Sequence, residues 1–258
     1  MSTSSTQAFL DHEGSEMKQI APLRYEKHGR LRLIEQRDFS GHREENFVPV
    51  VFQEFSAMAT EFPLVFVRNK KTGDFMPSAL MGLDQATNLY CQTPTWQPTF
   101  IPTSFTLEPF AVTQLGSGVE DSDIALDENS PLLSETMGEK LFFEDGSATE
   151  YLKSKKENVF KITEQSLQAV EICRYLAEKK LLVSRTLKLQ YSEESRKYEI
   201  EGIFVVDEQL IQNLPDEEFR ELRNRGLLAM IYAHLVSLQQ IHRLSRMQHQ
   251  LDKEQSNP

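Results

Sequence analysis

At 258 residues the chain suits one large domain or two small ones, and either length buries a real core. Hydrophobic residues at 39% and charged residues at 26% exclude wholesale disorder. A formal charge of −11, with a pI near 5.1, repels phosphate backbones, and no basic stripe interleaved with aromatics offsets it, so nucleic-acid binding is not expected. Cys91 and Cys173 lie far apart without a CxxC partner. That excludes a zinc finger or a disulfide framework and predicts buried free thiols in a reducing compartment. The start, MSTSSTQAFLDHEGSEMK, is not a secretory signal, and no apolar run reaches membrane-spanning length, so a cytoplasmic protein with no membrane contact is expected.

In chain order, residues 1–20 are polar and read as a frayed tail. KHGRLRLIEQ alternates as a first strand does. VPVVFQEFSAMATEF spaces Val51, Phe55, Met58, Ala59 and Phe62 at helical intervals, predicting a helix over 50–62 that Pro63 ends. PLVFVRN and FMPSALMGL read as strands around the turn KKTGD, with Pro77 marking an edge or bulge. TNLYCQ reads as a third strand. A loop-rich acidic segment follows from about 111 to 140, in which DIALDE is a short strand. LFFEDGSATEYL supplies a turn and a capping box, Ser147 with Glu150, opening a helix that runs to about Lys180 with a break near Lys153–Asn158.

LLVSRTLKLQYS and KYEIEGIFVVD predict a second hairpin, Asp207 caps a short helix, and Pro215 opens another. The last helix is expected from about Gly226 to Leu251. Its tip, 246–258, is polar nearly all round and reads as a frayed helical tail; the helix's apolar side nearer Gly226 is expected to pack on its own domain, with a helix-mediated homodimer as the alternative. The fold class is α+β: an antiparallel β meander with a bracing helix, a C-terminal β-hairpin and terminal helices, forming a single domain over 21–245.

Several segments, in order, carry a family likeness. They are HGRLRL from His28; Glu54-Phe55 and Phe62-Pro63; Gly82-Leu83 and Asn88-Leu89; Trp96, then FIPTSF and EPF; Asp127; LFFEDG; and GLLAMIYAHLVSL. On these, roughly residues 20–245 resemble the SapC-like family of bacterial proteins. The family's usual arginine four residues after the isoleucine-proline proline is Thr106 here. The resemblance brings no established catalytic residues. It implies an association, by gene neighbourhood, with flavin-dependent halogenases and cupin-like oxygenases.

Ionisable residues offer weaker motifs. His42-Arg43-Glu44 has a His-x-acid spacing, but a solvated loop is favoured. His234 and Ser237 lie one helical turn apart, resembling a nucleophile–base pair, although a hydrogen-bonded core histidine is favoured in IYAHLVSL. Glu54 and Glu61, seven apart, fit acid–base work or, preferably, a solvated stripe or a loop cap. GVEDSDIALDEN lacks the glycine and terminal glutamate of a calcium loop. GSG at 116–118 is followed by neither lysine nor a helix start. No metal site and no cofactor are expected.

The densest feature is TWQPTFIPTSFTLEPF, residues 95–110, aromatic, proline-rich and charge-poor. Its prolines exclude a long helix or a central strand. Two outcomes are open. Trp96, Phe100, Ile101, Phe105 and Phe110 plug the open face of the meander, or Trp96, Phe100, Pro102, Phe105 and Phe110 with Asn88 form a groove for a peptide or partner protein. The plug is favoured structurally, and a core wall also lines a cleft. The functional expectation is a non-enzymatic binding or accessory protein using this surface. The alternative is a metal-dependent or acid–base, oxygenase-like enzyme that gathers His28, Glu54, Asp127 and His234 from separate segments.

Overall fold

The computed structural model describes residues 18–35, 38–92, 96, 98–114 and 123–256. In chain order these form β1 (Ile20–Pro22), α1 (Tyr25–His28), β2 (Arg32–Leu33), β3 (Phe47–Pro49), α2 (Phe55–Met58), β4 (Leu64–Arg68), β5 (Phe75–Leu80), β6 (Phe110–Gln114), β7 (Asp123–Asp127), β8 (Leu133–Ser134) and β9 (Glu139–Lys140). There follow α3 (Glu150–Glu178), β10 (Leu182–Gln190), β11 (Lys197–Val206), α4 (Glu208–Gln212), α5 (Asp216–Asn224), α6 (Leu227–Ser237) and α7 (Ile241–Ser256). The class is α+β, with antiparallel sheets and helices grouped toward the C-terminus. Among the described residues no helix is long and apolar enough to cross a membrane.

Where one domain is expected over 21–245, two compact units form, each from separated segments. One joins the chain up to Phe39 with Thr103–Leu167; the other joins Ser40–Pro102 with the chain from Gln168 onward.

In the first unit, β7 lies between β1 and β6, and β2 lies between β8 and β9, all antiparallel. Leu23, Leu33, Phe110, Ile124, Leu126 and Leu152 belong to one buried apolar cluster. DIALDE is the strand expected. KHGRLRLIEQ is not: His28 closes a helical turn and only Arg32–Leu33 is strand. The cap of α3 is Thr149 rather than Ser147. The Thr149 hydroxyl accepts from the Leu152 amide at 3.2 Å, while Ser147 donates to Asp145 at 2.6 Å in a local turn. No break interrupts α3 at 153–158. The expected tail over 1–20 lies outside the described residues as far as 17. From there Gln19 bonds to Asp127 and Ile20 opens β1, so the last of the tail is part of a sheet.

In the second unit, one five-stranded sheet has the order β10-β11-β4-β5-β3. The meander and the C-terminal hairpin, separate in the sequence, are joined through Ile203↔Val67 and Phe204↔Phe66. Pro77 sits inside this sheet rather than on an edge strand, opposite the place where β3 stops: Val50, just past β3, donates to the Pro77 carbonyl at 3.1 Å. There its missing N–H costs no ladder bond.

Three expectations change here. The 50–62 helix is only a 3-10 turn and the single turn α2, because Thr60 donates its hydroxyl to the Ala57 carbonyl at 2.7 Å and the amides of Thr60 and Glu61 reach back three residues. TNLYCQ is a 3-10 turn at Leu89–Cys91, set by the Asn88 side chain accepting from the Tyr90 amide at 3.0 Å. The last helix is two, α6 and α7, separated by a 3-10 turn at Leu238–Gln240. Gly226 starts α6 at a φ of 72°, which glycine adopts without strain.

The C-terminal tail is helical to Ser256 and anchored rather than frayed. Tyr198 on β11 donates to Asp252 at 2.7 Å, His249 meets Ser195 at 3.2 Å and stacks on Tyr191 at 4.3 Å, and Gln248 is buried. A sequence pattern polar all round conceals this, since the partners come from a distant hairpin. Both cysteines are free and buried, as expected.

Candidate functional site

The segment Trp96–Pro102 belongs to the second unit. Pro98 and Pro102 are buried, while Phe100 and Ile101 between them are 38% and 40% exposed. The Glu61 carboxylate accepts from the amides of Thr99 at 3.0 Å and Phe100 at 3.3 Å. Burial works against the charge of Glu61, but these amides, helped by the nearby Arg243 guanidinium, hold its carboxyl below the ordinary value. The Trp96 indole donates to the Phe100 carbonyl at 3.1 Å. Its half-buried ring lies 6.3 Å from Phe62 and 6.1 Å from Tyr90, which pack edge to face at 4.8 Å. Arg243 lies over the Tyr90 ring, 5.9 Å from its centroid. Burial raises the Tyr90 phenol well above its ordinary range, so it stays neutral.

Other parts of the expected groove are not surface. Asn88 is fully buried as the cap of its 3-10 turn, and Pro102 is buried. In the first unit Phe105 is 1% exposed, stacked on Phe39 at 5.7 Å, and Phe110 is 4% exposed within the core cluster. These four residues are corrected from ligand contacts: Phe105 and Phe110 pack in the core, where large rings released from water are worth more than in a cleft, Asn88 caps its turn, and Pro102 is buried. Of the expected groove residues only Trp96 and Phe100 keep surface, and Ile101, expected in the plug, is exposed beside them. Thr106, in place of the family arginine, donates to the Thr103 carbonyl at 2.7 Å and closes its own turn.

The acid–base candidates do not gather within either unit. In the first, His28 is 2% exposed. Its Nδ1 accepts from the Arg24 amide at 3.1 Å, which leaves Nε2–H to donate to Glu128 at 2.9 Å. Lys27 closes on the same carboxylate, and these bonds hold Glu128 below the usual carboxylate range. The neighbouring Asp127 does not join them: its carboxylate accepts from the amides of Gln19 at 2.9 Å and Asn129 at 3.1 Å and shapes a turn.

In the second unit His234 is fully buried. The Val206 amide donates to its Nε2 at 3.0 Å, and its Nδ1–H donates to the Leu64 carbonyl at 2.8 Å. Burial pushes it down to about 4, only partly opposed by the Leu64 bond. Ser237 donates to the His234 carbonyl at 2.6 Å and accepts from the Leu64 amide at 2.9 Å. The pair that resembles a nucleophile and its base is therefore a backbone clamp. Glu54 sits half-buried at the end of a 3-10 turn, on a separate turn from Glu61. His42 is buried rather than solvated and meets Glu45, not Glu44, at 3.0 Å. Among the described residues, no three His, Cys, Asp or Glu side chains gather as a metal site would require. The GSG at 116–118 and the first residues of the acidic segment lie outside the described residues.

A family model described as SapC matches residues 23–244. The chain belongs to the SapC family. That match runs through both units of this SapC protein, including Trp96 and the α6 histidine. No curated protein and no solved structure matches it.

The loop-cap reading offered for Glu54 and Glu61 holds for Glu61, which caps the loop amides of Thr99 and Phe100. The role of the Val206 amide, which donates to His234, was not legible beforehand.

Proposed function

We propose that this SapC protein is a non-enzymatic binding or accessory protein of the cytoplasm, engaging an apolar peptide or a partner protein through the loop from Trp96 to Pro102. The observation that carries this reading is the Glu61 clamp on the Thr99 and Phe100 amides. Exposed apolar side chains are commonplace, but here two of them stand on a loop fixed at three points: buried prolines on either side, the Glu61 carboxylate beneath, and the Trp96–Phe100 bond across it. A surface already held in one conformation loses little entropy on binding. Aromatic and aliphatic anchors ringed by polar groups are the composition that dominates binding energy in protein interfaces. The acid–base alternative has less to draw on, since His28, Asp127 and His234 all engage backbone amides or carbonyls.

The chain's single tryptophan lies in the surface itself, so its fluorescence reports binding directly. Titration with a panel of apolar, proline-containing peptides shifts Trp96 emission saturably, and a Phe100→Ser/Ile101→Ser variant of unchanged melting temperature loses the response. Equal responses from the variant, or none from any peptide with the wild type, would overturn the proposal.

A further inference from the structure

The first unit carries a cleft of about 750 Å³ that the proposed partner surface does not use. One wall is α1 and the chain leading into β2, with Tyr25, Lys27, Arg30 and Arg32; the other carries Lys140, Phe142 and Phe143. Tyr25 ties the walls together: its hydroxyl donates to the Glu144 carbonyl at 2.7 Å and its ring meets Phe142 edge-on at 5.7 Å.

The cations here are placed against ordinary sheet preference. Arg30, in the turn that closes α1, and Arg32, on β2, both line the cleft, while Leu33 is buried in the core cluster and Leu31 packs against it. Arg32 is also the direct cross-strand partner of Lys140. Like charges opposite each other in a ladder repel. A chain of net charge −11 has ample acids to relieve this, yet among the described residues no ion pair reaches Arg30, Arg32 or Lys140. Arg32 is instead aimed by the Gly138 carbonyl, which accepts from it at 3.0 Å and orients the guanidinium without neutralising it. Gly138 has a φ of 94°, and a Cβ there would come within 2.3 Å of the Leu33 carbonyl, so only glycine brings that acceptor so close. Beside the cations, Phe143 is 51% exposed, a large ring left in water at the edge of the cleft.

We propose that this cleft binds a small organic oxyanion, a carboxylate or phosphate attached to an aromatic ring, with the charge at Arg30, Arg32 and Lys140 and the ring on Phe142 and Phe143. Guanidinium groups pair oxyanions bidentately, and the bond strengthens beside an apolar wall. Glu26, Glu135 and Glu144 also line the cleft and disfavour an extended polyanion, which restricts the ligand to a compact one.

Calorimetric titration with phenyl phosphate and with benzoate tests this, with inorganic phosphate and benzylammonium as comparisons. At low salt the wild type binds at least one of the two aromatic anions and not benzylammonium, and which anion binds more tightly separates phosphate from carboxylate. Arg32→Gln and Lys140→Gln each weaken binding about tenfold or more, the scale of a lost charge-assisted contact. Phe143→Ser weakens the aromatic anions and leaves inorganic phosphate unaffected. Should Arg32→Gln fail to fold, Arg30→Gln removes a cation that makes no hydrogen bond among the described residues. No heat from either aromatic anion at millimolar concentration, or unchanged binding by the variants, would sink the proposal. Trp96 fluorescence is not its readout, so its outcome is separate from that of the partner surface.

Discussion

His234 on α6 donates its Nδ1 proton to the carbonyl of Leu64, 170 positions earlier in the chain, at 2.8 Å. The same ring accepts from Val206. β4 and β11 pair at Phe66↔Phe204, and continuing that register brings Leu64 opposite Val206, so the imidazole fills the place where the next ladder bonds would lie. Ser237 takes up the remaining Leu64 amide. One helical turn thus completes the hydrogen bonding of two diverging strands, and buried backbone groups left without partners are costly.

His234→Ala therefore leaves a cavity and two orphaned backbone groups. It lowers unfolding free energy by about 4 kcal/mol, measured by urea denaturation. Ser237→Ala, which orphans one amide, costs about 2 kcal/mol. A double-mutant cycle shows coupling between the two, because both grip Leu64.

Acid sensitivity follows from the same ring. Its folded value near 4 lies below the ordinary 6.5, so the unfolded chain takes up the proton first as pH falls. The stabilising contribution is whole above about pH 6.5, declines below it, and by pH 4 about 3 kcal/mol is gone. Denaturation of the wild type and His234→Gln at pH 7 and pH 4 checks this: the variant loses that share of the pH dependence.

Glu61→Ala releases the loop that presents Phe100 and Ile101. Since Glu61 is partly exposed, the stability loss is about 1 kcal/mol, small beside the gain in local mobility. Acrylamide quenches Trp96 more strongly in the variant, and any peptide response at this surface weakens through a faster off-rate.

At the C-terminus, the Tyr198 phenol is pushed up to about 12 by burial and by its bond to Asp252. Tyr198→Phe removes the bond and costs about 1.5 kcal/mol. Amide exchange measured by mass spectrometry speeds up in the last turns of α7 and stays unchanged in β4 and β5.

What could be read ahead of the structure was local. The turn-punctuated strands β4, β5, β10 and β11 and the Asp207 cap, whose carboxylate accepts from the Gln209 amide at 3.0 Å, lie where spacing and turn chemistry put them. Two equally local features were misjudged. Thr60 shortened the predicted first helix, and Asn88 folded a strand-like segment into a turn, each through one side-chain bond that competes with regular structure. In the aromatic-proline segment, composition announced rigid apolar packing but not its division: Phe105 and Phe110 are core, while Phe100 and Ile101 are surface.

The sequence alone determined the SapC membership, the α+β class and the stiffness of the 96–110 chain, since these follow from residue order and backbone chemistry near in sequence. Only the tertiary structure decided that His234 clamps strands, that Glu61 braces a loop, and that Arg32 faces Lys140. Each depends on contacts between segments distant in sequence, set by the summed free energy of many weak interactions rather than by any short motif.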